Sequence, residues 1–266
     1  MLAATLTGVT RTYGSGPAAV PALRDVTLRL ASNRFTVLSG PSGSGKTTVL
    51  NLLGCIDSPD AGEVVVAGYA LNTLRDAALA DFRARHLGFI FQSFNLIPVL
   101  SADENVEYPL TLLGWRRAAR RARVRELLHA VGLDAHRARR PGELSGGQRQ
   151  RVAIARALVA EPALVLADEP TANLDSATGL EILALMRRLQ RQYATTFVFS
   201  SHDPQVLSCA DDIIRIRDGQ IVAPDSAPAV PAVPAVPADT IIAPDLSAAC
   251  RAAHPAPRAQ HEAQLS

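Results

Sequence analysis

Two segments of the sequence combine the residue types that bind phosphate and a divalent cation. The first is GPSGSGKTT (40–48), which fits the pattern G-x-x-x-x-G-K-[ST]. Its glycines let backbone N–H groups turn towards a polyanion, and Thr47 offers a hydroxyl to Mg²⁺. The second ends an apolar run with adjacent carboxylates, Asp168 and Glu169. Together they predict a site for a phosphorylated nucleotide.

Lys46 is the single lysine among 27 basic residues, and all the others are arginine. A lone lysine indicates a position where a compact ammonium fits between the β- and γ-phosphates and a wider guanidinium does not. We therefore expect Lys46 to act in catalysis as well as in binding. The residues of this segment predicted to contact the nucleotide are Gly40, Pro41, Ser42, Gly43, Ser44, Gly45, Lys46, Thr47 and Thr48.

The carboxylates follow the apolar run Leu164–Ala167, which is typical of a buried strand. An acid at the carboxyl end of a parallel strand lies in the ligand crevice. We expect Asp168 to hold Mg²⁺, directly or through water. Glu169 then faces the attacking water as its base or orienting group.

A third segment, Leu144–Gln148 (LSGGQ), begins 98 positions after Lys46 and is too far along the chain to belong to the first loop. Ser145 is a good helix N-cap, and the following residues predict a helix with Val152 and Val159 towards the core. The N-terminus of a capped helix also favours anions, so this segment is a second candidate anion-binding position beside the glycine-rich loop.

The surrounding elements predict an α/β fold. Phe35–Ser39 is predicted to be a short buried strand that leads into the glycine-rich loop. The apolar stretch 49–53 after the loop is predicted to be helical. The continuous apolar runs Leu164–Ala167 and Phe197–Ser200 predict parallel strands covered on both faces. Between them, the helical spacing of Ile182, Met186, Leu189 and Tyr193 predicts a helix.

Other patterns place antiparallel and helical parts. Val64–Val66 followed by Gly68 predicts an antiparallel strand ending in a turn, and 213–222 predicts a hairpin with an Asp-Gly turn. From 77 to about 133 the pattern is helical, with Val124, Leu127, Leu128 and Val131 on one buried face. We also expect a helical stretch at 93–100.

With LSGGQ beside the two phosphate-site segments, the chain resembles the ABC ATPase family over about residues 4–222. The resemblance implies a P-loop NTPase fold of ABC type, with a mixed sheet core, an antiparallel β subdomain and an inserted α-helical subdomain. It implies ATP and Mg²⁺ as cofactors and hydrolysis of ATP to ADP and phosphate. It also implies a head-to-tail dimer of two such subunits.

Within that dimer, the resemblance implies that Ser145, Gly146 and Gly147 of one subunit clamp the γ-phosphate held by the other subunit. Gln148 completes this set of nucleotide contacts. The segment Asn173–Asp175 matches the family's loop that joins the two sites.

The resemblance assigns three further residues. Gln92, in the run Phe-Ile-Phe-Gln-Ser, corresponds to the residue that contacts both the metal and the membrane partner. His202, in Ser-Ser-His-Asp, corresponds to the switch histidine that holds the γ-phosphate and the catalytic Glu169. Tyr13 corresponds to the aromatic residue that stacks on adenine.

The run Gly88–Leu110 is similar to the branch with macrolide-exporter, lipoprotein-releasing and cell-division cassettes. That branch works with permeases that have few membrane helices and a large extracytoplasmic domain. Macrolide exporters fuse cassette and membrane domain, whereas here we expect a separate permease. The sequence also departs from the lipoprotein-releasing pattern at Ser93–Asn95, and Ala172 stands where the branch usually has glycine.

Composition limits the possible partners. The net charge is only +2, so the chain as a whole is not expected to act as a polyelectrolyte towards nucleic acid or anionic lipid. No segment approaches the roughly 20 apolar residues of a membrane span. We expect a peripheral protein on the cytoplasmic face of the plasma membrane, bound through its permease, with no nucleic acid partner. The basic stretch 116–125 lies on a predicted helix, and a solvated helix face is favoured there over nucleic acid binding.

Three alternatives remain beside a transporter subunit. A soluble ABC ATPase of DNA repair is disfavoured because no long coiled coil fits between Lys46 and Ser145, and translation types usually carry two cassettes. A regulatory ATPase that acts on a cell-envelope enzyme through a membrane partner stays open. An inactive scaffold is disfavoured because Glu169 and His202 are both present.

The last part of the chain differs in composition. PAVPAVPAVPAD (228–239) is a three-residue repeat that is incompatible with helix or sheet. We therefore divide the chain into an ATPase domain, 1–222, and an Ala/Pro-rich tail, 223–266, which we expect to be largely disordered.

Overall fold

The computed structural model describes residues 1–222, which form ten strands and seven α-helices. The strands are β1 (Leu2–Tyr13), β2 (Val20–Ala31), β3 (Phe35–Ser39), β4 (Ala61–Val66), β5 (Tyr69–Ala70), β6 (Leu87–Ile90), β7 (Leu164–Asp168), β8 (Thr196–Ser200), β9 (Asp212–Arg217) and β10 (Gln220–Val222). The helices are α1 (Lys46–Leu53), α2 (Asp76–His86), α3 (Ala102–Leu112), α4 (Arg117–Ala130), α5 (Gly146–Leu158), α6 (Ser176–Tyr193) and α7 (Pro204–Ser208).

The larger sheet has six strands in the order β10-β9-β3-β8-β7-β6. Five of these strands, β3, β6, β7, β8 and β9, are mutually parallel, and β10 is antiparallel to β9. The β9–β10 turn uses Asp218 (φ 50°) and Gly219 (φ 75°), the left-handed pair that a tight hairpin requires. The predicted mixed sheet and its Asp-Gly hairpin are confirmed.

The central strands bury alternate side chains in two different cores. Phe35, Val37, Phe197 and Phe199 pack on the face covered by α3 to α6. Leu38, Leu164, Leu166 and Val198 pack on the opposite face against α1 and the smaller sheet. Burial of both faces explains why these strands read as unbroken apolar runs in the sequence.

The smaller sheet is antiparallel, with the order β2-β1-β4-β5. Strand β1 lies in its centre, where Leu6 pairs with Leu28 on one side and Val64 on the other. These side chains are buried against α1. The sheet confirms the predicted antiparallel subdomain and brings Tyr13, the last residue of β1, close to the start of the chain's first helix.

Helices α3 and α4 lie between β6 and β7 and belong to the predicted α-helical subdomain. Helix α3 begins at a capping box, in which Ser101 Oγ accepts from the Glu104 N–H and Glu104 accepts from the Ser101 N–H. In α4, Val124, Leu127 and Leu128 are buried, as their spacing indicates. The prediction of an amphipathic helix here is confirmed.

One strand was missed inside the segment predicted to be helical throughout. Leu87–Ile90 forms β6, which pairs in parallel with β7 from Leu87 opposite Leu164 to Ile90 opposite Ala167. A four-residue apolar run has no periodicity that separates a buried strand from a helix turn. The strand matters because it delivers the next residues to the same sheet edge as Asp168.

The helix expected at 93–100 is also absent, since this segment consists of turns and irregular backbone. Phe94 (φ 64°) and Asn95 (φ 46°) are left-handed, which ends any helix. The fully buried Asn105 supplies the missing hydrogen bonds, since its amide accepts from the Ile97 N–H at 2.8 Å and donates to the carbonyls of Ile97 and Leu100. A side chain therefore satisfies this loop's backbone.

In the part of the chain that the structure describes, no helix combines the length and apolar character of a membrane span. The tail predicted at 223–266 lies outside the described residues.

Candidate nucleotide site

The glycine-rich loop connects β3 to α1 at the carboxyl edge of the larger sheet. Gly45 is the N-cap of α1 with φ 107°, a conformation that L side chains rarely adopt. A Cβ on Gly45 would lie 2.8 Å from the Ala22 carbonyl oxygen. Helix α1 begins directly after Gly45, at Lys46. The backbone N–H groups of the loop therefore lie next to the positive N-terminal end of the helix, where both can bind an anion.

Lys46 is buried at the start of α1, and its Nζ donates to the carbonyls of Gly40 and Pro41, both at 2.8 Å. The ammonium thus lies at the centre of the loop. Ser44 Oγ in the same loop is buried and has no hydrogen-bond partner among the described residues. A buried hydroxyl without a partner and a centrally held cation are features that an anionic ligand would satisfy.

Thr47 and Asp168 approach each other from α1 and β7. Thr47 Oγ1 lies 3.4 Å from Asp168 Oδ1 and 3.5 Å from Oδ2. The hydroxyl of Ser200, at the end of the neighbouring β8, donates to the same Asp168 Oδ1. The Thr47 hydroxyl of the glycine-rich loop and the oriented Asp168 carboxylate therefore face each other.

Glu169 follows β7 in a left-handed conformation, φ 43°, which is uncommon for a residue other than glycine. Its N–H donates to the Ser200 carbonyl at 3.1 Å, which fixes the turn. The exposed His202 lies after β8, and its Nδ1 is 3.4 Å from Glu169 Oε1. Two groups predicted from separate segments thus meet at one edge of the sheet.

Gln92 is exposed two positions after β6, at the same edge. Its carbonyl accepts from Asn173 Nδ2 at 3.0 Å. Asn173 belongs to the loop between Glu169 and α6, so this bond joins that loop to the segment that carries Gln92.

Residues 145–148 form the start of α5. Ser145 Oγ accepts from the Gln148 N–H at 3.2 Å and Gln148 Oε1 accepts from the Ser145 N–H at 2.9 Å, which completes a capping box. Gly147 packs so closely on α6 that a Cβ would lie 2.7 Å from Thr178 Cγ2. Within residues 1–222, no hydrogen bond or ion pair joins 145–148 to the loop at 40–48.

Tyr13 is partly exposed and held at two points. Its hydroxyl donates to Asp57 Oδ2 at 2.7 Å, and the Arg11 guanidinium lies 5.0 Å from its ring centroid. Arg11 also forms ion pairs with Asp57 and Asp60, both at 2.7 Å. Burial and the hydrogen bond to Asp57 raise the pKa of Tyr13, so the phenol stays a donor in this cluster.

Thr47 and Asp168 are the candidate ligands for Mg²⁺. Among the described residues, no group of three or more His, Cys, Asp or Glu side chains is placed to hold a metal. Mg²⁺ at phosphate sites is typically bound by one or two carboxylates with hydroxyl, water and phosphate oxygens. The pair of Thr47 Oγ1 and Asp168 fits that chemistry.

Some residues that shape the site were not predicted. Ser200 orients Asp168 and Glu169, and its position at the end of a strand beside β7 was the available signal. The fully buried Gln150 donates to the Pro170 carbonyl at 2.6 Å and so joins α5 to the loop after Glu169. Arg11 and Asp57 contact Tyr13 from 2 and 44 positions away, and the Asp57 contact has no local signal.

The chain is similar to known proteins of one family. The family model described as ABC transporter matches residues 23–172. The lipoprotein-releasing system ATP-binding protein LolD of Chromohalobacter salexigens is 49% identical over 214 residues, covering 80% of this chain and 90% of that protein. The macrolide export ATP-binding/permease protein MacB of Syntrophobacter fumaroxidans is 45% identical over 223 residues, covering 83% of this chain and 31% of that protein.

A solved structure agrees with both the fold and the chemistry. The ATP-binding cassette MJ0796, in a dimeric post-hydrolysis state bound to ADP and Pi, is 43% identical with a TM-score of 0.75. The match covers 82% of this chain and 96% of that one. The chain therefore belongs to the ABC transporter family, as a subunit that binds and hydrolyses ATP.

Proposed function

We propose that two copies of this chain close on ATP and that their closing and opening drives a separate membrane permease. The observation that carries the proposal is the meeting of Glu169 with His202 beside Asp168 and Thr47, because hydrolysis needs these groups together. The nucleotide machinery is assigned to residues 1–222.

ATP binds with its phosphates in the loop 40–48. Lys46 exchanges its two carbonyl partners, Gly40 and Pro41, for phosphate oxygens, which carry the charge that its ammonium pairs with. Tyr13 stacks on adenine with the ring face that Arg11 leaves open. This arrangement fixes the γ-phosphate near the carboxyl edge of β7.

Thr47 and Asp168 would hold Mg²⁺, and Gln92, two positions after β6, would supply a further ligand. The ion, when bound, withdraws charge from the phosphate oxygens. Ser200 keeps Asp168 oriented through the hydrogen bond from its hydroxyl. Gln92 also connects this site to the surface described below, through its position after β6.

Hydrolysis is assigned to Glu169 and His202. Glu169 accepts a proton from, or orients, the water that attacks the γ-phosphate. His202 donates to the γ-phosphate and stays beside Glu169, as the 3.4 Å contact allows. Lys46 stabilises the charge that develops on the transferred group.

Each complete site needs a second subunit. Ser145, Gly146 and Gly147 lie at a capped helix start and have no bond to their own chain's phosphate loop within residues 1–222. We assign them, with Gln148, to the γ-phosphate held by the partner. The dimeric state of the cassette MJ0796 supports this assignment.

A groove beside Gln92 is the proposed seat of the permease. It has a volume of about 410 Å³, lies between α2, β6 and α3, and includes Phe91 directly before Gln92. Tyr108 and Leu112 of α3 line it and are 45% and 67% exposed. A short helix of a permease fits this apolar lining, and relatives named as parts of lipoprotein-releasing and macrolide export systems support such a partner.

The permease we propose has few membrane helices and a large extracytoplasmic domain, and it holds the chain at the cytoplasmic face of the plasma membrane. The test is to express a tagged Glu169→Gln variant in its own host, solubilise the membranes with ATP, and identify the proteins that co-purify. We expect such a permease, and expect its loss from Glu169→Gln combined with Leu112→Asp. The matched control is Glu169→Gln with Leu180→Asp, because Leu180 is an exposed leucine of α6 outside the groove. Recovery of a soluble complex without a membrane protein contradicts the proposal.

A further inference from the structure

A cleft of the described residues lies away from the nucleotide site. It has a volume of about 820 Å³ and is formed by the first half of α3, one face of α4 and the segment 137–140. Six arginines and three carboxylates line it: Arg117, Arg120, Arg121, Arg125, Arg137, Arg140, Asp103, Glu104 and Glu107. We refer to it as the arginine cleft.

Two arginines of the cleft are paired with carboxylates that also line it. Arg120 pairs with Glu107 at 2.8 Å, and Arg137 forms two hydrogen bonds to Asp103, both 2.9 Å. These pairs join α4 and the 137–140 segment to α3, so they hold the walls of the cleft in place. The other arginines of the cleft are not balanced by these two pairs.

The remaining arginines are Arg117, Arg121, Arg125 and Arg140, and within residues 1–222 none of them forms a salt bridge. The remaining carboxylate is Glu104, which accepts hydrogen bonds from the backbone and hydroxyl of Ser101. Against one carboxylate these four guanidinium groups leave the cleft with a net charge of +3. All four are exposed and can reach a ligand.

The arrangement on α4 is unfavourable in the absence of an anion. Arg117, Arg121 and Arg125 follow one another at four-residue intervals, so their like charges are neighbours on one helix face. The first turn of α4 also has no acidic residue, although the positive end of the helix dipole lies there. A bound anion relieves both sources of repulsion.

Phosphate is the anion chemistry that best matches four guanidinium groups. Each guanidinium presents a planar fork of donors that pairs with two phosphate oxygens at once. Helix α3 also carries Tyr108 and Leu112 on the apolar groove proposed for the permease, so cleft and groove share one helix. With the proposed permease seated in the groove, the cleft on the same helix would lie near the membrane surface.

We propose that the arginine cleft binds the phosphate of anionic phospholipid headgroups and so orients the chain on the membrane next to its permease. The inference rests on the proposed function only for the nearness of the membrane. Binding itself needs neither ATP hydrolysis nor the permease. Its failure can therefore be told apart from a failure of the proposed function.

The test is co-sedimentation of the purified full-length chain with vesicles of phosphatidylglycerol and phosphatidylcholine, compared with phosphatidylcholine alone. We expect binding to the anionic vesicles only, weakened at least about tenfold by Arg121→Gln with Arg125→Gln. The matched control, Arg29→Gln with Arg191→Gln, removes the same charge from exposed positions outside the cleft and should bind as the unchanged chain does. ATPase activity should be the same in all three proteins.

Two results overturn the proposal. One is equal vesicle binding by the Arg121/Arg125 variant and the control variant, which would mean that the cleft is not the site. The other is binding of inorganic pyrophosphate that Arg121→Gln with Arg125→Gln abolishes, measured by calorimetry, without binding to anionic vesicles, which would assign the cleft to a soluble phosphate compound. Competition of pyrophosphate against vesicle binding supports the proposal.

Discussion

His202 Nδ1 lies 3.4 Å from Glu169 Oε1, although the two residues are 33 positions apart and follow different strands. They meet because β7 and β8 are adjacent and parallel, with Asp168 opposite Ser200. The carboxyl ends of both strands therefore deliver their next residues to one place.

We predict that His202→Ala lowers the ATPase rate by about 100-fold, because it removes a donor aimed at the developing phosphate charge. ATP binding should change little, and so should the unfolding temperature, because the His202 side chain is 69% exposed. His129→Ala is the matched control, since His129 is an exposed histidine paired with Asp134 at 3.0 Å away from the site. Steady-state ATPase assays of both variants give the answer, and equal loss in both would remove the role assigned to His202.

We predict that Lys46→Ala lowers ATP turnover by at least about 100-fold, since Lys46 is the only basic residue of the loop 40–48. Lys46→Arg should fail as well, because the guanidinium is too wide for the space bounded by the Gly40 and Pro41 carbonyls. ATPase and nucleotide-binding assays test both variants. An undiminished rate in Lys46→Ala contradicts the assignment, and thermal unfolding checks that the variants are folded.

We predict that Tyr13→Ala weakens ATP binding by about tenfold, the scale of lost base stacking. Tyr13→Trp should keep most of the affinity. Asp57→Asn should weaken binding less than Tyr13→Ala, because it loosens the acceptor of the Tyr13 hydroxyl while leaving the ring in place. Titration with a fluorescent ATP analogue measures these changes, and an unaltered affinity in Tyr13→Ala would exclude stacking on this residue.

The contacts of Asp211 predict a pH dependence of stability. Arg187 and the Phe35 N–H donate to its carboxylate, and the side-chain bond from Arg187 lowers the pKa of Asp211 to about 2. The unfolded value is about 3.9. Because the folded pKa is the lower one, Asp211 stabilises the fold above about pH 4, and this contribution disappears as the pH falls through about 2.

For Asp211→Asn, we expect the free energy of unfolding to fall by about 1 kcal/mol at neutral pH, after allowance for solvent around this partly exposed pair. The difference from the unchanged chain should shrink between about pH 4 and pH 2. Denaturant titrations at several pH values measure it. A difference that stays constant over that range would show that Asp211 does not act through its charge.

The sequence predicts the parts of the site that depend on local pattern. The loop 40–48, the carboxylates after Leu164–Ala167 and the cap at Ser145 are each defined by a short segment with its own physical requirement. The strand pattern then places Asp168 and Glu169 at the carboxyl edge of the sheet, whereas the role of His202 comes from the resemblance to the ABC ATPase family.

The rest depends on contacts between distant segments. Strand β6 is four residues long, and only its pairing with β7 distinguishes it from the helical pattern around it. The loop 93–100 is held by Asn105, whose hydrogen bonds cannot be read from spacing. The contacts of Arg11 and Asp57 with Tyr13 likewise form only when distant segments have folded together.

The central claim is that the complete site forms between two chains, with Ser145–Gly147 of one facing the nucleotide of the other. The most direct measurement is the mass of the purified Glu169→Gln variant in solution, by light scattering during gel filtration, with ATP and with ADP. We predict a dimer with ATP and Mg²⁺, a monomer with ADP, and a monomer again when Ser145→Arg is added. A Glu169→Gln variant that binds ATP at saturation and stays monomeric would contradict the account.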